Sequence, residues 1–133
     1  GEELSLNDIE NQKIRATFKD PRVHFAINCA AKSCPPLRTE SYVGDRLDAQ
    51  LDDQVRRFAA GPGVQLVRRG ARTVLVTSKI MKWFSDDFDE WGGGAEAFLR
   101  RYLPAPKAAA IAASPNLSVE YDDYDWKLND WRP

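Results

Sequence analysis

The chain has 133 residues, 43% hydrophobic and 29% charged, with a formal net charge of -1. That length suits one domain with a real core, and nothing in the charge balance calls for nucleic acid, where a basic domain would be expected. No run of about 18 apolar residues occurs, so no membrane span is expected. Two cysteines, Cys29 and Cys34, are too few for a disulfide framework. Because the chain opens on Gly1-Glu-Glu-Leu, with no Met and no signal pattern, its N-terminus is expected to be processed, cloned or truncated.

Ser5 to Phe18 reads as a helix. Ser5 or Asn7 can cap it, Asp8 and Glu10 suit its positive end, and Leu6, Ile9 and Ile14 recur at roughly helical spacing. Asp20-Pro21 stops it, because the residue before proline avoids the α region. Val23 to Cys29 reads as a strand. Alternation puts His24, Ala26 and Asn28 on one face and Val23, Phe25, Ile27 and Cys29 on the other, apolar one. Cys29 is therefore expected to face the core. Ala30 to Tyr42 reads as a loop with Cys34 at its middle, stiffened by Pro35-Pro36, which makes Cys34 the more accessible thiol. Lys32 and Arg38 are the cations nearest in sequence.

Asp45 to Ala60 is the clearest helix, with Leu47, Leu51, Val55 and Phe58 in one apolar stripe and Gly61-Pro62-Gly63 at its end. Val64–Val67 and Thr73–Thr77 flank Gly70 and read as a hairpin. Ser78 caps a short helix running to Phe84. Gly92-Gly-Gly94 breaks the chain before helices at Ala95–Tyr102 and Pro106–Ala113. Leu117–Tyr121 is a last strand, followed by an acidic, aromatic tail without periodicity. Trp83, Trp91, Trp126 and Trp131 read first as packing residues. The order of elements predicts an α+β domain, a small, mostly antiparallel sheet packed with several short helices.

Both thiols and the only imidazole fall within eleven residues, His24 to Cys34. A thiol becomes a strong nucleophile when a base or positive charge lowers its pKa. Cys34 is the expected nucleophile and His24 its base. Asn28 is expected to orient the ring or donate to an oxyanion, and Asp125 or Asp123 in the tail to hold the imidazole. Ser33, Arg38 and Trp126 are assigned to substrate contact, and Cys29 to a redox or structural supporting role. A zinc site on Cys29, Cys34 and His24 is disfavoured, since the spacing is C-x4-C and no second His exists. Neither a metal nor a cofactor is expected. A dithiol couple lacks the C-x-x-C spacing, although an exposed thiol would form mixed disulfides with a small thiol such as glutathione. The aspartates of the tail, Asp122, Asp123, Asp125 and Asp130, do not follow an EF-hand pattern.

Four blocks resemble the DUF547 family, a domain of unknown function. They are Ser5-Leu-Asn-Asp-Ile-Glu-Asn-Gln-Lys-Ile-Arg15, His24-Phe-Ala-Ile-Asn-Cys-Ala-Ala-Lys-Ser-Cys-Pro-Pro-Leu-Arg38, Ser78-Lys-Ile-Met-Lys-Trp-Phe-Ser-Asp-Asp-Phe88 and Tyr124-Asp-Trp-Lys-Leu-Asn129. The resemblance implies no established reaction. Members usually carry an upstream Trp-Ile-Asn-x-Tyr-Asn-Ala type motif that is absent here. The expectation is one DUF547-like domain over residues 1–133 that lacks this upstream segment. The upstream half, or another chain, would complete the fold. Bacterial members resemble exported proteins, which implies an extracytoplasmic location, periplasmic or secreted. The expected function is a papain-like or transglutaminase-like thiol hydrolase or acyltransferase acting on a peptide or amide. The competing expectation is a non-enzymatic binding domain whose cysteine loop recognises a partner or a small thiol.

Overall fold

The computed structural model describes residues 1–115 and 117–130; Trp131 lies outside them. The chain starts with α1 (Leu6–Asp8), passes through a π-helical stretch (Ile9–Arg15) and continues as α2 (Ala16–Phe18). Ser5 begins this helix as expected. Its hydroxyl accepts the Asp8 N–H at 3.1 Å while the Asp8 carboxylate accepts the Ser5 N–H at 3.0 Å, a reciprocal cap. Lys19, with φ 50, ends the helix in the left-handed region.

The strand expected at Val23–Cys29 is not formed. Residues Val23–Ala26 make a helical turn, α3, and only from Ile27 is the backbone extended. The Asp20-Pro21 pair explains the difference. Asp20 accepts the Arg22 N–H through its side chain and the Val23 N–H through its carbonyl, at 3.0 and 3.1 Å. Proline is preorganised for the start of a helix as well as hostile to its interior. The pair therefore closes one helix and opens the next, overriding the β-branched composition that follows.

α4 (Leu47–Ala60) follows a short 3-10 turn at Gly44–Arg46 and buries the predicted Leu51, Val55 and Phe58. It also buries two glutamines, Gln50 and Gln54. Gln50 donates to the Ser41 carbonyl and accepts the Val43 N–H, both at 2.9 Å, and Gln54 donates to the Pro36 carbonyl. Buried amides are retained because they satisfy backbone groups that lack a ladder. Here they fasten the Ala30–Tyr42 loop onto α4.

β1 (Val64–Arg69) and β2 (Arg72–Thr77) form the predicted hairpin, with Val64 opposite Thr77 and a turn at Gly70, φ 63. Helices α5 (Ile80–Trp83), α6 (Ser85–Trp91), α7 (Gly94–Arg100) and α8 (Ala105–Ala112) then lead to β3 (Leu117–Tyr121). β3 pairs with β2 in parallel, giving the order β1-β2-β3. The α+β class holds, but the sheet is mixed and not mostly antiparallel. Four helices intervene between β2 and β3, long enough for the crossover that a parallel pair requires.

The core gathers around aromatic rings. Phe25 lies 4.8 Å from Phe58 and 5.8 Å from Phe98, and Phe98 lies 5.0 Å from Phe88. Such pairs add attraction beyond their burial. Phe25 belongs to α3, so the core holds the turn that carries His24. Among the described residues, no helix is long and apolar enough to cross a membrane.

Candidate functional site

His24 sits on α3 beside Phe25 and is almost wholly buried. Its ring stacks on Phe84, with centroids 3.9 Å apart and planes 13° from parallel. Nε2 lies 2.7 Å from Asp87 Oδ2, on α6. Arg15 grips the same carboxylate with two bonds, Nε to Oδ2 at 2.8 Å and an Nη to Oδ1 at 2.9 Å. That guanidinium holds the Asp87 carboxyl below its ordinary range, with His24 adding to the effect and burial opposing it. Asp87 is thus ionised at neutral pH and accepts the proton on Nε2. Burial lowers the His24 pKa below its usual value, and Asp87 offsets this only in part. The ring is neutral at pH 7 with its hydrogen on Nε2. Nδ1 is buried, carries a lone pair and has no hydrogen-bond partner among the described residues.

His24 lines a cleft of about 200 Å3 together with Ile27, both cysteines, Trp83, Tyr124 and Trp126. The cysteine loop reverses at Ala30, whose φ is 58, a conformation that non-glycine residues seldom adopt. Asn28 stabilises it by accepting the Ala30 N–H at 2.8 Å and donating to the Pro35 carbonyl at 2.7 Å. A turn from Ala31 to Cys34 follows, closed by the Cys34 N–H on the Ala31 carbonyl at 3.0 Å. The result brings Cys34 Sγ onto the Cys29 N–H at 2.9 Å. Cys29 Sγ lies 3.3 Å from the Tyr124 hydroxyl.

The tail clasps this loop. Lys32 N–H donates to the Lys127 carbonyl at 3.0 Å and Asn129 N–H to the Ala30 carbonyl at 2.8 Å. Ser33 N–H reaches the Asp125 carbonyl at 3.3 Å, while Ser33 Oγ accepts the Asp125 N–H at 2.9 Å. The clasp delivers Tyr124 and Trp126 to the cleft. Their rings lie 4.6 Å apart, and Trp126 stacks on Trp83 at 5.6 Å. Trp126 is 67% exposed, so its place is the rim of the cleft and not the core.

Several expected placements change. Cys29 is exposed and Cys34 half-buried, the reverse of the expectation from strand alternation. The reason is local: a helical turn followed by a left-handed residue has no continuous strand faces. The carboxylate on His24 is Asp87, whereas the Asp125 carboxylate accepts the Lys127 N–H at 3.0 Å. Asn28 holds the loop and not the imidazole. Arg38 is engaged elsewhere, with Asp53 at 2.6 Å and Glu40 at 2.7 Å, and its side chain is 8% exposed. Both of its terminal nitrogens are thus taken up in anchoring the loop to α4 and Glu40, away from the cleft. Ser33 is committed to the tail.

The two thiols differ in acidity. Burial opposes ionisation of Cys29, but hydrogen bonds from Cys34, Tyr124 and backbone N–H groups outweigh it, and the pKa falls. Burial pushes the Cys34 thiol up to about 11, against the pull of the Cys29 N–H and reinforced by the neighbouring Cys29 sulfur. The more acidic thiol is therefore also the exposed one.

Sequence reading missed Asp87, Arg15 and Tyr124. A signal for each was present, since Arg15, Asp87 and Tyr124 fall in the first, third and fourth blocks that resemble DUF547. The sequence pattern likewise gives no helix over Ser85–Trp91, where α6 forms.

The family model described as "Protein of unknown function, DUF547" matches residues 1–59, which hold α1 to α3, the cysteine loop and nearly all of α4. No curated protein and no solved structure matches the chain. With His24, Cys29 and Cys34 all inside the matched segment, the match supports assigning this chain to the DUF547 family.

Proposed function

We propose that the cleft is the active site of a thiol-dependent hydrolase or acyltransferase acting on a peptide or amide. The observation that carries this reading is the neutral, Asp87-oriented His24, whose unpartnered Nδ1 belongs to a ring lining the same cleft as an exposed thiol. An imidazole with its tautomer set by a carboxylate and its other nitrogen free is the arrangement a general base needs.

In this reading Cys29, the exposed thiol, attacks, in place of Cys34. The Cys29 S–H proton passes to Nδ1 of His24, directly or through one water. Cys29 Sγ bonds to the carbonyl carbon, the C–N bond breaks, and the imidazolium returns the proton to the leaving amine. Water or a second amine then attacks the thioester, freeing the thiol. Trp83 and Trp126 at the rim supply apolar contact for the substrate. Cys34 supports the site from behind. A papain-like or transglutaminase-like relationship and an extracytoplasmic location accompany this reading as proposals.

The test is labelling with a peptidyl acyloxymethyl ketone, followed by peptide mapping. Covalent label on Cys29, lost in Cys29→Ser and slowed at least about tenfold in His24→Asn, supports the reading. Labelling no faster than that of an unstructured cysteine peptide overturns it. The exposed aromatic rim favours a second reading, a non-enzymatic binding domain. It predicts ligand-dependent tryptophan quenching that survives Cys29→Ser.

A further inference from the structure

We propose that Cys29 and Cys34 are a thiol–disulfide exchange pair that takes a low-molecular-weight disulfide, with Cys29 attacking and Cys34 resolving. This activity goes beyond acyl transfer and uses the Cys29 thiolate directly, with no imidazole base.

The geometry carries it. Spacing alone argues against a couple, because five positions separate the cysteines. The fold removes that objection. The left-handed Ala30 and the Ala31–Cys34 turn fold the loop back until Cys34 Sγ meets the N–H of Cys29 itself. Cys34 Sγ thus lies 2.9 Å from the backbone nitrogen of the residue whose thiol it would meet. Buried Gln54, which donates to the Pro36 carbonyl, and the clasp from Lys127 and Asn129 hold the loop from both sides. Both cysteines are free.

The pair is also asymmetric in the way exchange requires. Cys29 opens to solvent and has the Tyr124 hydroxyl at 3.3 Å, a donor suited to a thiolate. Cys34 is half-buried, less accessible than Cys29, with its sulfur 2.9 Å from the Cys29 backbone nitrogen. Trp83 and Trp126 on the rim suit the carbon skeleton of a small ligand.

The chemistry balances. The Cys29 thiolate attacks one sulfur of R–S–S–R′, the S–S bond breaks, and R′S⁻ leaves and takes up the proton that Cys29 gave to water. Cys34 then loses its proton and attacks Cys29 Sγ, so that RS⁻ leaves and is protonated. The protein dithiol is oxidised to a disulfide and the small disulfide is reduced to two thiols.

The test uses bis(2-hydroxyethyl) disulfide, a neutral probe whose reaction reports thiol reactivity without charge attraction. Intact-mass spectrometry follows the reduced protein over time. Wild type is expected to pass through a short-lived adduct to a species lighter by two hydrogen atoms, with both halves of the probe released. Cys34→Ser is expected to stop at a stable adduct on Cys29. Cys29→Ser is expected to react at least about tenfold more slowly than Cys34→Ser. A wild-type adduct that persists without closing to a disulfide overturns the proposal, as does equal reactivity of the two variants. Should a variant fail to fold by circular dichroism, the wild-type time course alone decides. Failure of the acyl-transfer reading would leave these masses unchanged, so the two are separable.

Discussion

The two edges of the His24 ring could hardly differ more. Nε2 meets a carboxylate that is itself gripped by Arg15, and every polar group there has a partner. Nδ1 is buried with no partner among the described residues, on a residue that also lines the thiol cleft. A buried polar atom without a partner ordinarily costs about 1 to 3 kcal/mol. The contrast teaches that the Asp87 side fixes the ring's orientation and tautomer, whereas Nδ1 carries that cost uncompensated among the described residues, as Arg38 Nε and the Tyr42 hydroxyl also do.

The strongest way to break this contrast is to remove the carboxylate charge. Asp87→Asn leaves the Arg15 guanidinium without its counter-ion and weakens the bond to Nε2. With Asp87 partly exposed, a loss of about 2 to 3 kcal/mol in urea denaturation is expected. A loss below about 0.5 kcal/mol would show that this edge is not structural.

Next comes the thiol side. At pH 8 Cys29 should alkylate with iodoacetamide at least about tenfold faster than Cys34, because burial keeps the latter protonated and only the thiolate reacts. Peptide mapping after partial labelling reads the ratio, and Tyr124→Phe should reduce it. Labelling of Cys34 first would reverse the assignment of roles.

A smaller effect concerns pH. His24 has its pKa lowered by burial, so the unfolded chain takes up a proton more readily than the native one below pH 6.5. The stability from this residue is complete above that pH and declines as pH falls, by at most about 1.4 kcal/mol per pH unit. Asp87, lowered by Arg15, adds a further decline only below its ordinary pKa of 3.8. Denaturation of wild type and His24→Asn between pH 5 and 7 should show the first slope in the wild type alone. Equal slopes would mean that the ring is not held neutral.

The smallest effect belongs to the rim. Trp126→Ala should change stability by less than about 0.5 kcal/mol, as for an exposed residue outside the core. A large drop in melting temperature would make Trp126 a packing residue and weaken its role at the cleft.

Local chemistry was legible along the chain. α4 followed from an apolar stripe with Gly-Pro-Gly at its end, the hairpin from β-branched runs about Gly70, and α7, α8 and β3 from their composition and breaks. The closeness of the imidazole to both thiols, and the family resemblance, were visible in one short stretch. Each depends on residues within a few turns of each other, where period and capping speak directly.

Only the tertiary structure decided what that stretch does. Asp87 reaches His24 across 63 positions, and Tyr124 reaches Cys29 across 95. No local pattern encodes such pairings, since they arise when the core places α3 against α6 and the tail closes on the loop. The strand expected at Val23–Cys29 failed for the complementary reason. Asp20-Pro21 carries two local meanings, stop and start, and only the packing of Phe25 into the aromatic core selects the second. That selection left Cys29 exposed and Cys34 half-buried, and the imidazole with one edge held by Asp87 and the other buried without a partner among the described residues.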